Sequence, residues 1–157
     1  MERADAAEPE RMLRRSAAPV VDESLPVLDP APLLGLCNEA GDIVAQRFFT
    51  EYLNLLPTRV SRVIGGLSSS DLEASKEAVA SLKVSSAMAG ATRMEHYCRE
   101  LEEGLAARRV PDAADSLLSM SRISRLILQD ARREWRKQGA GSGAIGGNAS
   151  GPGVALN

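Results

Sequence analysis

Aromatic side chains are nearly missing from this chain: they make up 3% of 157 residues, with one tryptophan, two tyrosines and two phenylalanines. A hydrophobic content of 44% must therefore come from Leu, Val, Ile, Ala and Met, a composition that suits an all-helical domain. Cysteine is equally scarce. Cys37 and Cys98 stand far apart, with no second ligand at metal-site spacing, so two buried, reduced thiols are expected rather than a disulfide or a metal centre. An excess of one charge is missing too, because Arg and Glu interleave to a formal charge of -2 and a pI near 5.5. Without a basic face, nucleic acid is not expected as a partner. Finally, no apolar run approaches the ~20 residues that span a bilayer, and residues 1–15 are charged rather than signal-like. A cytoplasmic protein with no membrane partner is expected, and its length suits one domain.

Three regions can be separated by composition. Residues 1–25 are rich in Ala, Arg, Glu and Pro without an apolar period and read as a flexible arm, with at most a short helical piece around Met12. Residues 26–137 carry helical patterns throughout. Residues 138–157 are dominated by Gly, Ser and other small residues that do not repay the entropy of ordering, and read as a disordered tail. No stretch alternates β-branched and polar residues, so no strand is expected.

Within the middle region a short helix follows Asp29-Pro30-Ala31-Pro32 and runs to Gly41. Phe48, Tyr52, Leu55, Leu56, Val60, Val63, Ile64 and Leu67 then recur at spacings of three and four, which predicts a helix over 43–65, kinked at Pro57. Ser70 with Glu73 and Thr92 with Glu95 have capping-box spacing and predict two further helix starts. The inner faces of those helices are Leu72, Val79, Leu82 and Ser86 on the first, and Met94, Cys98 and Leu101 on the second, which ends near Arg108. Pro111 opens a last helix with an apolar stripe of Leu117, Met120, Ile123, Ile127 and Ala131 that continues towards Trp135. Four long helices with short joints pack most simply as an up-and-down antiparallel four-helix bundle, with the short helix as an N-terminal extra.

No P-loop, dinucleotide fingerprint, Ser-His-Asp set or zinc spacing is present, so neither an enzyme nor a cofactor is expected. The charges of 99–109 and 132–137 recur at i,i+3 and i,i+4, as solvated surface pairs do. One segment stands out. It reads Ala80-Ser81-Leu82-Lys83-Val84-Ser85-Ser86, followed by Gly90-Ala91, Met94, Cys98 and Leu101-Glu102. It resembles the signature of the histidine-phosphotransfer (HPt) family, His-x-Leu-Lys-Gly-Ser-Ser followed by Gly-Ala, a Leu, a Cys or small residue, and Leu-Glu, without a gap. The resemblance extends over about residues 26–135.

That resemblance implies a four-helix bundle acting in a two-component phosphorelay. A histidine on a central helix would take a phosphoryl group from a receiver aspartate, and the family lysine, here Lys83, would neutralise the phosphoryl oxygens. Two positions depart from the pattern. Ala80 stands in the place of the accepting histidine, and Val84 stands where the family keeps a glycine that leaves room for the incoming receiver. The implied protein is a monomeric pseudo-phosphotransfer adaptor that docks a receiver domain or hybrid histidine kinase through Lys76, Ala80, Lys83, Val84 and Ala87. Positions 80, 83, 84 and 87 share one face at i, i+3, i+4 and i+7. The alternatives are an active carrier that uses His96, the only histidine, and a structural or oligomerising bundle. His96 is expected on the outer surface of its helix, among Glu95, Glu100, Glu102 and Glu103, which would repel a phosphoryl donor.

Overall fold

Helix-forming stretches separated by single turns dictate the architecture. The computed structural model describes residues 12–146, with side chains described to residue 137. In chain order these form strand β1 (Arg14–Ser16), helices α1 (Ala31–Ala40), α2 (Asp42–Ser68), α3 (Leu72–Ala89) and α4 (Thr92–Ala106), strand β2 (Arg109–Pro111) and helix α5 (Ala113–Gly146). Helix α2 packs against α3 and α5, and α4 packs against α3 and less closely against α5, which closes a ring of four antiparallel helices. The expected up-and-down bundle with an extra N-terminal helix is the observed fold.

Its core is the one that the apolar spacings define. Tyr52, Leu56, Leu82, Met94, Leu101 and Ile127 are all fully buried, and each such side chain contributes roughly 1.5–3 kcal/mol by leaving water. Small residues let the helices approach: a Cβ added at Gly66 of α2 would lie 2.7 Å from the Ser75 hydroxyl of α3. Helix α1 has no buried residue and lies across α2 at one end of the ring.

The residues before α1 depart most from the sequence reading. Instead of a flexible arm, residues 12–25 form a strap that runs along α4 from its end to its beginning. β1 pairs with β2 in parallel, Arg14 opposite Arg109, so two short strands exist where none was expected. Leu13, Val21, Val27 and Leu28 pack against the core. Near the start of α4 the Arg93 guanidinium donates to the carbonyls of Glu23 (2.9 Å) and Leu25 (2.7 and 3.1 Å). The strap also approaches α5, with Glu23 lying 3.9 Å from Arg122. Residues 1–11 lie outside the described residues.

Several local expectations also need correction. Asp71, not Ser70, caps α3: its carboxylate accepts from the Ala74 amide at 3.0 Å, while Ser70 adopts φ 54 to complete the reversal from α2. Thr92 caps nothing. Gly90 closes α3 in the left-handed conformation and Ala91 begins the next helix at once, so the Thr92 hydroxyl turns back to the Gly90 carbonyl. Helix α2 runs from Asp42 to Ser68 with Pro57 inside it, beyond the expected end at 65. On α5, Met120, Ile123, Ile127 and Ala131 are buried as expected, but the first position of the stripe is Ser116 and Leu117 is 42% exposed. That helix also continues to Gly146, past the expected boundary at 137; the rest of the expected tail, residues 147–157, lies outside the described residues. Cys98 is buried as expected but Cys37 is only half-buried, and both are free thiols.

Candidate functional site

Helix α3 presents the signature segment, and the fold explains most of that signature structurally. Leu82, Ser86, Ala91, Met94, Cys98 and Leu101 are fully buried. The Ser86 hydroxyl meets the Tyr52 hydroxyl at 2.8 Å inside the core. Ser85 donates to the carbonyls of Ser81 and Leu82, so neither serine is offered to a partner. Gly90 holds the lead-in to α1, accepting from the Asp29 amide at 2.7 Å.

What remains is the outward stripe of α3. Val84 is 56% exposed, whereas Ala80 and Ala87 are half-buried between their neighbours. Met88, one turn beyond Val84, is 48% exposed and extends the apolar strip. Met88 is not among the residues expected on this face; its i+4 spacing from Val84 is the signal in the sequence that places it there. All five residues expected on the docking face, Lys76, Ala80, Lys83, Val84 and Ala87, thus lie on one helix, but they are not equally presented.

The two lysines are engaged. Lys83 Nζ meets Glu102 Oε2 of α4 at 2.5 Å, and Lys76 lies 3.9 Å from Glu73 one turn earlier. Glu102 was part of the signature but was not paired with Lys83 from sequence; the antiparallel turn at Gly90 brings the two together. A shallow depression beside Ala80 is bordered by Glu73, Lys76, Glu77, Glu102 and Ala106, so carboxylates outnumber ammonium groups around the alanine. Beneath the pair, burial pushes the Cys98 thiol up to about 12, which keeps it protonated and unreactive.

His96 does not join this surface. It lies roughly 120° around α4 from Glu102 and is half-buried rather than freely exposed, with Nε2 3.7 Å from Glu100 Oε1. The strap approaches it, since the His96 and Arg93 charges help to hold the Asp22 carboxyl below its usual range, after the hydrogen bonds from Ser24.

Among the described residues no group of three His, Cys, Asp or Glu side chains is placed to hold a metal ion, and no helix is long and apolar enough to cross a membrane. The sequence matches the family model described as Hpt domain over residues 47–134. No curated protein and no solved structure matches it.

Proposed function

The chain belongs to the Hpt domain family, and from that premise we propose that it acts in phosphorelay signalling as a docking partner that does not itself carry the phosphoryl group. Family members are phosphoryl carriers in two-component pathways. What supports this reading is Ala80: the resemblance of residues 80–86 to the family signature sets it in the place of the accepting histidine, its side chain has no nitrogen, and Val84 beside it is an exposed branched side chain. A receiver domain, or the receiver of a hybrid kinase, would bind over Ala80, Val84, Ala87 and Met88 with Lys76 and Lys83 at its edge. Occupying a receiver in this way would compete with an active carrier.

The reading that uses His96 is disfavoured by its pairing with Glu100 and by the strap beside it, since carboxylates repel an incoming phosphoryl donor. Restoration is the direct test. Receivers of the host are screened for binding to the native protein by calorimetry, and the doubly substituted Ala80→His, Val84→Gly protein is then offered the same receiver in its phosphorylated form. Binding by the native protein with phosphotransfer gained only by the variant supports the adaptor. Acid-labile label on the native protein that disappears in His96→Ala would instead make it an active carrier. Failure to bind any receiver would leave a structural bundle.

A further inference from the structure

A second concavity lies at the end of the bundle that α1 covers, away from the Ala80 stripe. It encloses about 720 Å³, within the range typical of small-molecule sites. Its apolar lining comes from three elements: Leu33 and Leu34 of α1, Ala45 and Phe49 of α2, and Ala131 and Trp135 of α5. The cleft exists because α5 outruns its partners. Among the described side chains Ala131 is its last buried one, and Arg133, Glu134, Trp135 and Lys137 beyond it border the cleft, with no buried side chain among residues 132–137 or on α1.

The polar groups around that lining have an unequal balance. Four carboxylates border it, those of Asp29, Asp42, Asp130 and Glu134, against the two cations Arg133 and Lys137. Both cations are strongly exposed and each already pairs with a carboxylate one turn earlier, Arg133 with Asp130 at 3.9 Å and Lys137 with Glu134 at 3.2 Å. Asp29 accepts from the Ala31 amide, which leaves its charge in place, and Asp42 begins α2. The cleft therefore keeps two uncompensated negative charges beside an indole and a phenyl ring, and ring faces attract cations on their own account. An anionic ligand would meet no unpaired cation there.

We infer that this cleft binds an organic cation with an apolar body, of the alkyl- or aryl-ammonium class. The body would replace water against Leu33, Leu34 and Phe49, and the ammonium would sit between the carboxylates and the face of Trp135. This reading does not depend on the role of Ala80.

Trp135 is the only tryptophan of the chain and is 47% exposed, so its fluorescence reports the cleft directly. Hexylammonium, hexanol and hexanoate share one apolar body and differ in charge, and each is titrated into the full chain at neutral pH and low salt. Hexylammonium should give a saturable change, hexanol should bind about fivefold or more weakly, and hexanoate should not bind. Asp42→Asn should weaken hexylammonium about threefold or more while leaving hexanol unchanged, and Asp130→Asn is the second variant should the first disturb the start of α2. Backbone amide shifts at Cys37, Ala45 and Phe49 provide an independent readout. Equal binding of hexylammonium and hexanol, preference for hexanoate, or no saturable change in either fluorescence or amide shifts would overturn the assignment.

Discussion

Replacing Gly90 by alanine should cost the bundle a large part of its stability, for two separable reasons. Gly90 has φ +79, and an L side chain in that left-handed region costs about 1–2 kcal/mol. The added Cβ would also lie 2.0 Å from the Asp29 carbonyl oxygen and 3.2 Å from its carbon, and both are backbone atoms that cannot rotate aside. Asp29 must then move, which breaks its 2.7 Å amide bond to the Gly90 carbonyl, worth about 1 kcal/mol, and loosens the attachment of the strap and α1. A loss of at least about 2–3 kcal/mol is expected, a large share of the 5–15 kcal/mol that holds most domains folded. Gly41→Ala has backbone strain without a clash: its φ 94 and ψ 162 lie in a region almost reserved for glycine while nothing lies within 4 Å of the added carbon, so about 1–3 kcal/mol should be lost. Urea unfolding followed by helical circular dichroism measures both. If Gly90→Ala loses no more than the ~1–2 kcal/mol of its left-handed conformation, the claimed contact between the α3–α4 turn and the lead-in to α1 is wrong.

Neighbouring glycines in α2 should respond with opposite signs. Gly65→Ala, with open space around it, should stabilise by about 0.5–1 kcal/mol through helix propensity, whereas Gly66→Ala, 3.0 Å from the Ser75 backbone, should destabilise by about 1–3 kcal/mol; thermal unfolding compares them. Arg93→Ala removes three hydrogen bonds to the strap, and should lower stability by about 1–2 kcal/mol while exposing Arg14 and Arg15 to trypsin sooner than any site in the helices. The buried Cys98 thiol predicts an alkaline weakness. Its folded pKa, about 12, lies above the ~8.5 of an unfolded thiol, so its contribution is constant below ~8.5 and is lost progressively as pH rises towards the folded value. Between about pH 7.5 and about pH 9.5 the native protein should lose about 1.4 kcal/mol that Cys98→Ala does not, read as the difference in urea midpoints.

Sequence alone carried the bundle because the periodic positions of α2, α3 and α4 are also its buried positions; Tyr52, Leu82, Met94 and Leu101 lie where their spacing puts them. Helix starts were less legible. Ser70 and Asp71 are both good caps by type, and Ser70 is taken up by the reversal at φ 54, which leaves Asp71 to cap α3. The strap was illegible for another reason: short strands and an irregular segment fixed by an arginine on another helix leave no periodic trace in their own sequence. At the site, most of the chemistry in the signature segment of α3 turns inward. Ser86 bonds to Tyr52, and Lys83 is held by a glutamate 19 residues away. Pairings of that kind belong to the turn between two helices and become visible only when the turn is drawn.

The strap also sets an order of events during synthesis. Residues 12–25 leave the ribosome before the helices they strap: the guanidinium that pins Leu25 follows 68 residues later and the partner strand of β1 later still. Until α4 and β2 have emerged, Leu13 and Val21 have no surface to cover. The strap is therefore made before the elements that hold it, and a chain stalled before Arg109 would have α1 to α4 but neither β2 nor α5, with the apolar residues of the strap still uncommitted.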